Sequence, residues 1–353
     1  MPLPCIPDYS VSIKTPQLLH PSILSGGHPI EKGNNLVKYS GGFCVVFPYQ
    51  TARKKYAVRC WHAEVRDAMK RTQIISAALK ESQLPYFVGF EYYEDGIMTP
   101  VGVQPVVVMD WVDALPLKQY VLQNLGKTEN IRKLANAFKQ MVADLHDKKF
   151  SHGDLQHGNI MVRDDGKLVL VDYDSMFVPG LEDMSDDIKG LVGYQHEARW
   201  NNNKLTEKLD YFSELVIYTS LQALQCDTSL WYRLKMEDSE TMLFSAEDIC
   251  SKGSSTIFQE LRNHEELKPL VDALCNFMQC TSIDELLPLE QVLMPTVDRI
   301  SSKWEDGNGY SLADKKPKIE DSSTISDKWS SGNGFNSVFT EEKADQIAAL
   351  WRN

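Results

Sequence analysis

The chain has 353 residues, 42% hydrophobic and 24% charged, enough apolar material for one large core or two smaller ones. Against 37 Lys and Arg stand 49 Asp and Glu, a formal net charge of −12; such a surface repels phosphate backbones and argues against nucleic acid or an anionic membrane as main partner. Seven cysteines without one CxxC spacing read as reduced, packed thiols, the opening MPLPCIPDYS lacks the features of an export signal, and no apolar run approaches a membrane span, so a cytoplasmic protein is expected.

Residues 1–28 are rich in Pro, Ser and Gly without periodicity and read as an N-terminal arm or a short edge element. From Leu36 to Cys60 alternating β-branched and aromatic residues predict strands, broken by a polar turn at Gln50–Lys55. Residues 62–82 hold no Gly or Pro and predict a helix. Strand-like runs follow at Tyr86–Tyr93 and Val101–Val112. Beyond them Ile131, Leu134, Phe138, Met141 and Leu145 recur at spacings of three and four, one buried face of a helix. In SHGDLQHGNIMVRDDGKLVLVDYD two short strands flank the turn DDG, and helical patterns run from Leu209 to about Ile300. Residues 301–353 turn polar and repeat Lys-Trp-x-x-Gly-Asn-Gly-aromatic, at Lys303–Tyr310 and Lys328–Phe335, before a possible helix at Thr340–Trp351. The predicted architecture is α+β: a small β-rich lobe with one helix (29–112), a larger helical lobe (113–300) and a tail (301–353).

Four motifs fall on these elements in one order. His152-Gly153-Asp154 with Asn159 fits H-x-D-x-x-x-x-N, and thirteen residues beyond Asn159 Asp172-Tyr173-Asp174 stands in the place of D-F-G. Upstream, Tyr56-Ala57-Val58-Arg59 matches a V-A-I-K strand, and Tyr39–Val46 with Gly41 occupies the place of a glycine-rich turn. Over residues 29–300 the chain resembles the protein kinase superfamily. HGDLQHGNIMV and LVDYDSMFVP resemble its divergent bacterial group, whose members often carry helix-hairpin-helix segments.

The resemblance implies a two-lobed fold that binds ATP with Mg²⁺ and transfers phosphate to protein serine or threonine hydroxyls. Phosphoryl transfer asks a protein mainly to position groups and neutralise charge. Asp154 would accept the hydroxyl proton, Asn159 and Asp172 would hold the metal as hard oxygen ligands, and Arg59 would reach the phosphates. Met109, Asp110 and Val112 resemble the hinge that reads adenine through backbone groups, with Val46 and Ala57 above the ring and Met161 below. Gly193-Tyr194-Gln195-His196 resembles the G-T-x-x-Y end of an activation segment. Asp210 resembles the aspartate that anchors the loop backbone, and His152 reads as interior support for that loop.

Several positions depart from the pattern. Arg59 replaces a lysine, and its planar guanidinium reaches differently. Tyr39 and Cys44 replace outer glycines, Gln156 a lysine, Asp174 the glycine of the triplet, and Gly153 the loop arginine that elsewhere pairs with a phosphorylated segment. Glu64, Asp67 and Glu81 on the predicted helix sit poorly for pairing with Arg59, whose acidic partner stays unassigned. Two readings therefore accompany the first: a nucleotide-binding pseudokinase acting as a scaffold, and a small-molecule kinase of the aminoglycoside or choline type. The tail, rich in serines, reads as solvated, or as a pair of aromatic docking peptides for the kinase body or a partner.

Overall fold

The computed structural model describes residues 3–294. The tail repeat, the helix expected at Thr340–Trp351 and the last residues assigned to the helical lobe lie outside the described residues.

Two core clusters follow from the period-two alternation of one sheet. Helix α1 (Ile6–Ser12) precedes strands β1 (Tyr39–Ser40), β2 (Cys44–Gln50), β3 (Lys55–Trp61), β4 (Phe90–Thr99) and β5 (Gly102–Asp110). They pair antiparallel in the order β2-β3-β5-β4, with His28–Pro29 and β1 both along the remaining edge of β2. Val45, Phe47 and Tyr49 of β2, Tyr56, Val58 and Cys60 of β3, and Val106 and Val108 of β5 share one face, and Tyr9, Ile13 and Leu24 cover it. The residues between them turn to the opposite face, toward helix α2 (Ala68–Ser82) and the cleft. That second set contains Val46, Ala57, Arg59 and Met109.

Three expectations shift here. The segment before residue 28 is packed onto the sheet instead of forming a free arm: Tyr9 is 1% exposed and its hydroxyl donates to the Trp61 carbonyl at 2.8 Å. The predicted helix at 62–82 starts only at Ala68, because Asp67 adopts a left-handed conformation (φ 53°) that breaks the run. Likewise the strand expected at Tyr86–Tyr93 begins at Phe90 and runs on to Thr99 through a register shift between Tyr93 and Ile97.

The second lobe begins with a three-stranded antiparallel sheet, β8-β7-β6, formed by β6 (Leu115–Pro116), β7 (Ile160–Val162) and β8 (Leu168–Leu170). Helices α3 (Leu117–Asn124) and α4 (Thr128–Asp147) lie between the first two strands in the chain, and α4 buries the five residues whose spacing marked it. Helix α5 (Tyr211–Cys226) is buried on every face from Tyr211 to Leu224, the mark of a helix at the centre of a lobe. Helices α6 (Lys268–Phe277) and α7 (Leu289–Val292) pack against it. His146 of α4 ties three of these together: its ring nitrogens lie 2.9 Å from Glu214 of α5 and 2.9 Å from Glu290 of α7. Burial opposes the charge on His146, but the two carboxylates outweigh it and push its pKa up to about 10. The fold is a mixed α+β structure of two lobes, as expected.

Among the described residues no helix is long and apolar enough to cross a membrane. All seven cysteines are free.

Candidate active site between the lobes

Three loops meet below the sheet. The first, residues 151–159, is fixed through its backbone. Buried Asp210, just before α5, accepts from the N–H groups of His152 and Gly153, the latter at 2.9 Å. The His152 ring is fully buried, with Nε2 2.9 Å from the Val171 carbonyl. Asp154 follows. The Asn159 amide donates to both its Oδ2 and its carbonyl at 2.8 Å, and the Leu191 N–H donates to Oδ1 at 2.9 Å. Burial raises the Asp154 pKa above the ordinary carboxylate value, while the Leu191 N–H pulls the other way. Among the described residues the Asn159 side-chain oxygen accepts no hydrogen bond.

The second loop carries Asp172-Tyr173-Asp174. Asp172 takes a left-handed backbone conformation (φ 69°), uncommon for a residue with a Cβ and a form of strain that gathers at functional positions. Its carboxylate is half exposed. Tyr173 is buried, donates to the Leu170 carbonyl at 2.7 Å and accepts from the Val88 N–H at 3.0 Å. Its ring meets Phe90 of β4 in a tilted contact at 5.3 Å and His152 edge-on at 6.4 Å, so aromatic contacts join the two lobes.

Arg59 reaches this loop from β3. It is 6% exposed, lies 3.0 Å from Asp172, and donates to Asp174. Burial disfavours the guanidinium charge, but Asp174 and Asp172 raise its pKa further still. The partner that sequence reading left unassigned is therefore Asp174. Helix α2 supplies no acid: Glu64, Asp67 and Glu81 are all exposed, and the charged residue that α2 buries is Arg71. The Arg71 guanidinium donates to the carbonyls of Met176 and Ser185 at 3.4 Å, and its charge adds to that of Arg59 at Asp174. The signal was present in the sequence as two departures of opposite charge, Arg59 for lysine and Asp174 for glycine, read separately.

Three of the residues expected to enclose adenine share one exposure. Val46, Ala57 and Met161 are each half-buried, while both strand neighbours of each are buried, Val45 and Phe47, Tyr56 and Val58, Ile160 and Val162. Ala57 pairs with Met109 across β3 and β5, and Val46 with Arg59 across β2 and β3. Asp110 is tied at its carboxylate to Lys54, 2.6 Å away, and the Val112 N–H makes no hydrogen bond among the described residues. Gly41 stands in open space between β1 and β2. Tyr39 of β1 meets Trp111 at a ring separation of 6.1 Å, and Lys55 lies 3.7 Å over the same indole, so an aromatic pair flanks the segment after β5.

The third loop runs from Asp186 to Arg199. The part that reaches Asp154 is Gly190-Leu191, three residues before the Gly193-Tyr194 expected to close an activation segment. A Cβ on Gly190 would collide with Asp154 Oδ1 and with the Gln195 amide, so any larger residue must displace those side chains. Gln156, in place of a lysine, folds back to accept from the Gly158 N–H at 2.7 Å and offers no cation.

The oxygen donors fit a magnesium ion carried by a phosphate chain. No cluster of three or more His, Cys, Asp or Glu suited to a metal exists among the described residues, so the protein alone does not build a full cage. Magnesium needs few protein ligands when phosphate oxygens and water complete its shell, and half-exposed Asp172 with the unengaged Asn159 oxygen offers that few.

Residues 97–191 match the family described as ABC1 atypical kinase-like domain. That stretch runs from the end of β4 through α4 and the first two loops to Leu191, under a third of the chain. A search of curated proteins found no match. A curled antiparallel sheet over a helical lobe, with this match spanning the first two loops between them, is the arrangement of the protein-kinase-like superfamily, to which the matched family belongs and which the chain resembles.

Proposed function

We propose that the protein transfers the γ-phosphate of ATP, with Mg²⁺, to serine or threonine hydroxyls of a protein. The observation that carries this reading is two bonded pairs at the junction of the lobes, Asn159 with Asp154 and Arg59 with Asp172, on loops joined by the Val171 N–H donating to the Asn159 carbonyl at 3.0 Å. Val46, Ala57 and Met161 would enclose the adenine, and backbone groups of Asp110 and Val112 would read its edge beside Met109. Asn159 and Asp172 would hold the magnesium ion, which when bound withdraws charge from the phosphates. Arg59, kept charged by Asp174, would neutralise phosphate oxygens near Gly41. Asp154 would take the proton of the incoming hydroxyl, and a pKa raised by burial suits a base that must hold a proton in the transition state. Val192 and Trp200, both about half exposed, lie on or beside the segment next to Asp154 and support an extended, polypeptide acceptor.

One observation favours a second reading, a nucleotide-binding pseudokinase. Both Asp154 oxygens and the Asp172 carboxylate are already engaged, by Leu191, Asn159 and Arg59. The two readings separate on incubation with γ-labelled ATP and magnesium. Label on the chain itself or on a panel of basic and acidic proteins, lost in Asp154→Asn, supports transfer. ATP binding without label on protein or on a panel of polar metabolites supports the scaffold, and label on metabolites alone supports a small-molecule kinase.

A further inference from the structure

Gly153 occupies the place where an arginine would join the Asp154 loop to a phosphorylated segment, and the structure explains why no side chain stands there. Its φ is +76°, and a Cβ would run into the Ser175 carbonyl. Yet the connection exists, made from the other side. Arg199, 1% exposed, donates to the Gly153 carbonyl and to the Gln195 side chain. The same guanidinium clasps Asp186 in a two-pronged pair, Nε to Oδ2 at 2.8 Å and Nη2 to Oδ1 at 2.9 Å. It also lies 3.4 Å from the Ile188 carbonyl. Asp186 is buried and takes a second cation, Lys189, at 2.8 Å.

The peptide units of His152 and Gly153 are thus held from two directions, by Asp210 on their N–H groups and by Arg199 on the Gly153 carbonyl. The ends of the segment that touches Asp154 are closed on each other by Asp186 and Arg199. A carboxylate encoded in the chain thus makes the kind of arginine pair by which a phosphate group can order a loop.

We infer that Arg199 is a positioning residue that sets Asp154 against the 186–199 segment permanently, so that the site needs no phosphorylation to assemble. The kinetic part of this inference rests on the transfer activity proposed above; the structural part does not.

Hydrogen exchange on the full chain separates the two. Wild-type protein is measured before and after treatment with a broad-specificity phosphatase, with mass spectrometry confirming the absence of phosphate. Exchange of peptides covering 186–199 is expected to be unchanged, and so is turnover. Arg199→Gln is expected to raise exchange of the Leu191 amide at least tenfold and to lower kcat at least tenfold, with KM for ATP within twofold. Arg199→Lys should recover part of both. Phosphatase treatment that loosens the segment, or Arg199→Gln with wild-type exchange at Leu191, overturns the inference. Should Arg199→Gln fail to fold, the wild-type comparison still decides. Absence of turnover in every sample counts against the proposed activity and leaves the exchange result to judge Arg199.

Discussion

At the scale of single residues, the site turns on charges exchanged between positions. An arginine in a strand position expected to hold lysine would be costly to bury without an acid, and Asp174 supplies it from the loop across the cleft. Asp174→Gly, which brings back the glycine usual at that position, should destabilise the fold by about 3 kcal/mol in urea denaturation, because Arg59 keeps only half-exposed Asp172. A variant as stable as wild type would remove Asp174 from this role. Asp154 carries a second prediction. Asp154→Asn should lower turnover by about 10²–10⁴-fold while magnesium-ATP binding stays within about twofold, since in the proposed mechanism the lost group handles a proton and not the nucleotide. Since burial raises its pKa, the acid limb of the wild-type pH profile should lie above the ordinary carboxylate value of 3.8. An acid limb at or below that value would exclude Asp154 as the group that must ionise. Asp154, Asn159 and Asp172 were readable in the sequence because their spacing is local to one loop and one turn. The Arg59–Asp174 pair was not, since 115 residues separate its members and no periodicity links them.

At the scale of elements, alternation made the strands legible and packing decided the rest. Residues 3–28 show no lasting period because α1 is only seven residues long: Ile6, Tyr9 and Ile13 form one short helical stripe against the sheet, and Leu24 adds an isolated anchor. Tyr9→Phe should cost about 1 kcal/mol through the lost bond to the Trp61 carbonyl, and Tyr9→Ala about 3–5 kcal/mol. If calorimetry finds Tyr9→Ala neutral, the segment is not part of the lobe. The His146 cluster joining α4, α5 and α7 was equally hidden, its three members lying in separate helices. There the two carboxylates raise His146 from 6.5 to about 10, and burial raises Glu214 from 4.5 to about 7. Both shifts mean that the folded state binds protons more tightly than the unfolded one, so stability falls as pH rises. The His146 contribution is complete below pH 6.5 and is lost as pH climbs through about 10. Wild type should therefore lose up to about 5 kcal/mol more than the double variant His146→Gln/Glu214→Gln between those limits. Parallel stability curves for the two proteins would refute the linkage.

At the scale of the whole molecule, two lobes meet along a line that carries carboxylate and amide oxygens, two buried cations, Arg59 and Arg71, and a strip of half-buried apolar side chains. The superfamily was legible from four motifs in one order, and the lobes confirm the fold they imply. Contacts made by Gly190, Leu191 and Arg199 were beyond the sequence, because they depend on how closely one backbone approaches another. The account stands or falls on nucleotide held through magnesium at Asp172. Calorimetric titration of ATP into the full chain, with and without magnesium, and repeated with Asp172→Asn, addresses this directly. Binding that strengthens at least tenfold with magnesium in wild type, and gains no such strengthening in Asp172→Asn, is the expected result. Binding indifferent to both magnesium and the substitution, or no binding at all, would contradict it.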